Sequence, residues 1–126
     1  MINIFIMTSI TNEEKKIRNN HELYEIESWE DEKLDLNNNV LRGIYSFGFE
    51  KPSSIQKKAL YPMTKNIHNG RRRDITAQAQ SGTGKTGAFV IGSLNILQEK
   101  INGPQVLILA PTHELADQIL NVVENL

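Results

Sequence analysis

A chain of 126 residues has room for one domain, and the absence of cysteine excludes disulfides and thiolate metal sites. A net charge of −1, with 39% hydrophobic and 23% charged residues, fits a globular polypeptide without a global basic field, so any nucleic-acid contact has to be local. No run approaches the ~20 apolar residues that span a bilayer. The apolar stretch from Ile2 to Met7 is short and lacks a basic leader and a small-residue cleavage site, which argues against a signal peptide. A cytoplasmic protein with no membrane partner is the expectation, with the nucleus as the alternative.

Thr8 to Glu27 is polar and mixed in charge with no sustained period, and reads as a flexible arm, so that an arm over residues 1–28 precedes an ordered unit from 29 to 126. Asn37-Asn38-Asn39 offers a helix N-cap. Val40, Leu41, Ile44 and Tyr45 follow at helical spacing, and Gly48 is placed to end the helix. Ser53 and Gln56 have the spacing of a capping box, Ile55, Ala59 and Leu60 share one face of the helix it opens, and Pro62 ends or kinks that helix. Arg71-Arg72-Arg73 is the strongest basic cluster. It reads first as a solvated run and second as a contact to a phosphate backbone. Asp74 to Gln78 reads as a short strand. The helix carrying Ala88 to Ile91 and Leu94 to Leu97 is apolar nearly all round, so it is expected to be covered on more than one side. A turn at Asn102-Gly103-Pro104 leads to Gln105–Leu109, whose unbroken apolarity predicts a buried strand. Leu115, Ala116, Ile119, Leu120 and Val123 give a last amphipathic helix. Strand, helix, strand and helix after residue 73 make a βαβ unit, expected to be parallel with a right-handed crossover.

Between the first strand and its helix stands Ala79-Gln80-Ser81-Gly82-Thr83-Gly84-Lys85-Thr86. Glycines allow the backbone to fold into a nest of inward-pointing N–H groups, and the helix N-terminus behind it adds partial positive charge. Lys85 can bring a full charge to the outer phosphates of a nucleotide, and the Thr86 hydroxyl can ligate Mg²⁺. Ala79 stands where the strict phosphate-loop pattern has glycine, and requires an ordinary negative φ. Upstream, Gln56 carries a carboxamide that can accept from an adenine N6 amino group while donating to N7, a pairing that guanine reverses. Phe49 could cover a face of such a base. The competing readings are structural: Gln56 as the return half of a capping box, Phe49 as a core residue. The three histidines, His21, His68 and His113, lie far apart with no ligand-like spacing.

Phe49-Glu50-Lys51-Pro52-Ser53-Ser54-Ile55-Gln56 resembles the Q motif of DEAD-box RNA helicases, Ala79 to Thr86 resembles their motif I, which has alanine first, and Pro111-Thr112-His113-Glu114-Leu115-Ala116 resembles their motif Ia. Order and spacing match too. The contexts Leu41-Arg42-Gly43-Ile44-Tyr45 and Ala77-Gln78-Ala79-Gln80 are most similar to the initiation factor four-A branch, and the resemblance covers about residues 29 to 126. It implies an α/β fold: part of a RecA-like, phosphate-loop NTPase lobe with parallel strands, preceded by a helical Q-motif segment. It implies ATP and Mg²⁺ as cofactors, RNA as partner and translation or RNA-processing factors as further partners. By the same resemblance Gln56 reads adenine, Phe49 stacks on it and Lys51 helps hold it. Ala79, Gln80, Ser81, Gly82, Thr83, Gly84, Lys85 and Thr86 take the phosphates, Lys85 and Thr86 as the catalytic pair and Thr86 on the metal. Pro111, Thr112, His113 and Glu114 face RNA. Trp29 stands where the family has an isolated aromatic, and reads equally as a packing residue. His113 departs from the family's arginine, and a histidine is shorter and lacks the bidentate fork, so an RNA contact there is expected to be weaker.

The family's Asp-Glu-Ala-Asp motif, its Ser-Ala-Thr motif and its second lobe are not among these residues, and Asp117 falls inside the last helix. We therefore expect part of a longer helicase, inactive in hydrolysis as it stands. The alternative is a truncated, non-catalytic module that binds a nucleotide or a partner. A small phosphate-loop kinase would leave Phe49 to Gln56 unexplained.

Overall fold

The computed structural model describes residues 4–6, 24–65 and 75–126. His21, His68, Arg71-Arg72-Arg73, Asp74 and most of the expected arm lie outside the described residues. The elements in chain order are β1 (Ile4–Ile6), α1 (Asn38–Ser46), α2 (Ser54–Thr64), β2 (Ile75–Ala77), α3 (Lys85–Asn95) and α4 (His113–Asn125).

Local sequence sets the helix ends. The Asn37 side chain accepts from the Asn39 N–H at 2.8 Å and so caps α1. Gly48 closes the helix at φ +93°, its N–H donating to Tyr45 O at 3.0 Å. Helix α2 begins after Ser53, as expected, but runs through Pro62 to Thr64. A proline removes one N–H and does not by itself end a helix that packing holds. Here the Thr64 hydroxyl bonds to Leu60 O at 3.0 Å, and the Lys65 N–H to Tyr61 O at 3.1 Å. Thr112 caps α4 by accepting from the Leu115 N–H at 3.3 Å.

Helix α3 lies between two apolar clusters. Ile91 joins Ile26, Trp29, Leu34, Val40, Ile44 and Leu60 on one side. Phe89 and Val90 join Ala59, Met63 and Ile119 on the other. Contact on two sides explains why its apolar residues run nearly all round, with Gly87 to Gly92 buried throughout. On α4, Ile119 is buried and Leu115 and Val123 are half-buried, whereas Leu120 is exposed.

Two expectations about strands are corrected. Among the described residues the sheet is a two-stranded antiparallel pair of β1 and β2, with Ile4 opposite Ala77, Phe5 opposite Thr76 and Ile6 opposite Ile75. Residues 105–109 are not a buried strand. The segment makes no ladder, and Leu107 and Leu109 are each 82% exposed while Ile108 and Ala110 pack on the second cluster. An unbroken apolar run is buried only where layers cover both faces of a sheet, and here the covered side is the one facing the second cluster. The preceding loop is closed by Gln105, whose carboxamide accepts from the Gln98 N–H at 2.9 Å and donates to Gln98 O at 2.8 Å.

Packing also reaches back past the boundary drawn at residue 29. Ile26 is buried, with its N–H on Lys57 O at 3.0 Å, and the Tyr24 ring meets Tyr61 edge-on at 4.9 Å. Asp31 organises this segment, accepting from the Tyr24 hydroxyl at 2.8 Å and from the Lys33 N–H at 3.0 Å. Burial works against its charge, but the Tyr24 hydroxyl and the Glu27 and Lys33 N–H groups outweigh burial and hold its pKa below the ordinary carboxylate range. A depressed folded pKa contributes stability above the unfolded pKa and loses it as pH falls through the folded one. Asp31→Asn should therefore lower the urea midpoint at pH 7, and the gap to the parent chain should close below about pH 4. A gap of equal size at pH 7 and pH 3 would remove the ionised carboxylate as its source.

Candidate nucleotide site

Strand β2 feeds directly into the glycine-bearing loop, and α3 begins at Lys85 with Gly84 as its N-cap. Gly82 and Gly84 take φ of +77° and +92°, conformations that an L side chain resists. Among the described residues Asp35 is the one non-glycine at positive φ, so Ala79 keeps the ordinary backbone expected of it. The Thr83 hydroxyl donates to Gln80 O at 2.8 Å and braces the turn. Lys85 is only 6% exposed, and its ammonium donates to the Ala79 and Gln80 carbonyls, folding the loop over its own lysine. Ser81 and Gly82 are exposed and Thr86 is half-buried.

The base-side candidates lie against this loop. Gln56 is 3% exposed. Its Oε1 accepts from the Ser53 N–H at 2.7 Å, the return half of a capping box, and its Nε2 donates to Gly84 O at 3.1 Å. Gln56 thus caps α2, as the structural reading has it, and also touches the glycine-bearing loop. Ser53 Oγ is buried with no hydrogen-bond partner, and a Cβ on Gly84 would stand 2.7 Å from it. Phe49 is half-buried beside Phe47, ring centroids 4.8 Å apart, with its carbonyl accepting from Trp29 Nε1 at 2.9 Å. Trp29 is itself buried, as the packing reading requires.

Lys51 is on the surface, as are Pro111, Thr112, His113 and Glu114 at the start of α4. Two contributors were not singled out from sequence: Ser53 Oγ, and Gly87, over which Gln56 and Phe49 close. A glycine inside a helical pattern is disfavoured relative to alanine, and that was the available signal for a close approach. Among the described residues no group of histidine or acidic side chains could hold a metal, and no helix is long and apolar enough to cross a membrane.

A strand leading into a glycine loop that caps a helix, with a lysine at its first turn, is the arrangement of the phosphate-loop folds, and the solved structures that match the chain narrow it to the RecA-like kind. Solved structures share that fold. S. cerevisiae Dbp5 bound to RNA and ADP BeF3 matches at a TM-score of 0.68 with 42% identity, over 75% of this chain and 23% of that one. A DEAD box protein from the hyperthermophile Methanococcus jannaschii matches at 0.63 with 36% identity, over 80% and 26%. A family model described as DEAD/DEAH box helicase matches residues 53–126, and the chain belongs to that family. Among curated relatives, an ATP-dependent RNA helicase eIF4A from Yarrowia lipolytica is 54% identical over 71% of this chain and 21% of its own length. The eukaryotic initiation factor 4A of Dictyostelium discoideum is 52% identical over 72% and 21%. The chain thus spans about a fifth of the length of the curated relatives it matches.

Proposed function

We propose that residues 29–126 are part of the first RecA-like lobe of an ATP-dependent RNA helicase of the initiation-factor-4A kind, working in the cytoplasm, and that they form its ATP seat. The observation that carries the reading is the bond from Gln56 Nε2 to Gly84 O, which brings a base-reading carboxamide onto the loop that would take the phosphates. Gln56 has one amide hydrogen and one oxygen lone pair beyond the bonds it makes, the complement of an adenine N7 and N6 amine. Phe49 lies beside it to cover the ring, and Lys51 reaches from the surface. Ala79 to Gly84 line the triphosphate with N–H groups. Lys85 gives up the Ala79 and Gln80 carbonyls for phosphate oxygens, exchanging two neutral acceptors for charged ones.

The residues fit Mg²⁺ in one respect. Thr86 places a hydroxyl in the first turn of α3, beside the loop, and Mg²⁺ takes few protein ligands when phosphates and water supply the rest. Bound there, the ion would neutralise charge on the outer phosphates. Pro111, Thr112, His113 and Glu114 are the proposed RNA-facing residues, on a surface where translation or RNA-processing factors could also dock. Hydrolysis and unwinding are proposed for a protein of the relatives' length; these residues contribute binding. ATPase measurement on the 126-residue chain with saturating RNA tests that division, and turnover above the uncatalysed rate would overturn it.

The base reading has its own test. Gln56→Ala should erode the preference for ATP over GTP by ~1–3 kcal/mol, the worth of one bidentate base contact. The variant also loses a cap worth ~1 kcal/mol, but that loss falls equally on both nucleotides. An unchanged ATP/GTP ratio by calorimetry would leave Gln56 as a cap alone.

A further inference from the structure

Strand β1 lies outside the stretch 53–126 that the family model matches, yet it pairs with the strand that feeds the glycine-bearing loop. Strand β2 is three residues long, with Thr76 exposed and Ile75 and Ala77 half-buried. Side chains hold its inner face. Ile75 packs on the second cluster, and Ala77 lines a small apolar cavity with Ile55, Ala59, Met63 and Phe89. Main chain holds one edge, and among the described residues the ladder partner there is β1. The register sets Ile4 opposite Ala77 and Ile6 opposite Ile75, so positions 4 and 6 fall on the covered face of the pair and position 5 on the face of Thr76. Two and three residues past the strand, the Ala79 and Gln80 carbonyls accept from the Lys85 ammonium. A displacement of β2 therefore carries the start of the loop with it, and the lysine's two acceptors. A loop that has to be reordered before it takes a ligand binds more weakly by the cost of that ordering.

We propose that residues 4–6 are a positioning strand for the phosphate loop: their main chain closes one edge of β2, and through β2 they hold Ala79, Gln80 and Lys85 in place for a triphosphate. The inference rests on the nucleotide reading above and adds to it a segment from outside the family's matched residues. The agent is the ladder, since strand addition binds through main-chain N–H and C=O groups. The sequence of β1 suits that role: Ile, Phe and Ile are all β formers, with no glycine, proline or charge to weaken an edge pairing.

Alternate N–H groups of a strand point to opposite edges, so prolines at both 4 and 5 remove one that faces β2 whatever the phase of the ladder. The test is Ile4→Pro/Phe5→Pro in the 126-residue chain, beside Ile4→Val/Phe5→Tyr, which keeps every N–H and the β-propensity. In the proline variant, amide hydrogen exchange should quicken by about tenfold or more over residues 75–84, while α1 and α4 exchange as in the parent. Calorimetry should show MgATP and inorganic tripolyphosphate both weakened by roughly three- to tenfold, because fewer molecules hold the loop in its binding form. Ile4→Val/Phe5→Tyr should match the parent in both readouts. Unchanged exchange over 75–84, or losses shared by Ile4→Val/Phe5→Tyr, overturns the proposal. Exchange that quickens evenly through all the helices makes β1 a general stabiliser and overturns it too. Faster exchange over 75–84 with unaltered affinity for both ligands removes the positioning role and leaves the nucleotide reading standing. A parent chain that binds neither ligand overturns the nucleotide reading and the positioning role together.

Discussion

Lys85→Ala is expected to weaken ATP binding by on the order of 100-fold, corresponding to ~3 kcal/mol. Lys85 is the one cation among Ala79 to Thr86, and its ammonium is buried in the loop with its donors on the Ala79 and Gln80 carbonyls. A charge-assisted bond to a phosphate in a partly dry site is worth about twice a neutral one. The loss also falls on the loop itself, because two carbonyls that the lysine held together are released. Helix α3 should survive, since alanine is a strong helix former and Phe89, Val90 and Ile91 keep their contacts with both clusters. Calorimetry with ATP on the parent and variant chains, beside far-ultraviolet circular dichroism to show retained helix, is the check. Equal affinity in the two chains would refute the phosphate-loop reading.

The parts of this fold written in short-range chemistry were legible in the sequence. Asn37 and Ser53 mark the starts of α1 and α2, Gly48 marks the end of α1, and the run from Ile75 into Gly84-Lys85 gives strand, loop and helix in order. These signals act within a few residues, so they survive without knowledge of the neighbours. The near-continuous apolarity of α3 likewise announced cover on two sides.

Legibility failed where a second segment decides. Strand pairing is a property of two stretches of chain, and nothing in Ile75–Ala77 says that its partner is Ile4–Ile6, antiparallel, rather than residues 105–109. Burial alternates over residues 107–110, with Ile108 and Ala110 inward and Leu107 and Leu109 outward, but apolarity on both faces leaves no trace of that alternation in the sequence. Gln56 shows the same limit in the site. Ser53-x-x-Gln56 predicted its oxygen's partner, while its nitrogen's partner, 28 positions along the chain, needed the fold. Trp29 lies between these cases: its burial was foreseeable from hydrophobicity, but its indole bond to Phe49 spans 20 positions and was not.

As the largest fully buried side chain among the described residues, Trp29 is the one whose loss should cost the fold most. The indole is 1% exposed and belongs to the cluster that joins Ile26, Leu34, α1, Leu60 and Ile91. Trp29→Ala should destabilise the chain by ~3–5 kcal/mol, the range for emptying a large aromatic site in a core. Domains of this size hold ~5–15 kcal/mol in all, so the variant should be partly unfolded near neutral pH and room temperature. Trp29→Phe separates the two contributions. It keeps most of the apolar burial and removes the donor to Phe49 O, which should cost ~1–2 kcal/mol, the lost bond and a small cavity combined. Urea unfolding followed by far-ultraviolet circular dichroism should therefore order the midpoints as parent, then Trp29→Phe, then Trp29→Ala. A Trp29→Ala midpoint equal to the parent's would remove the indole from the core. Loosening should also be felt at the proposed nucleotide seat, because the Phe49 main chain is held from one side by Trp29 Nε1 and from the other by Ile44 O. Trp29→Phe frees only the first of these anchors, so its effect on ATP should exceed its effect on tripolyphosphate, which makes no use of Phe49. Equal effects on the two ligands would confine Trp29 to packing.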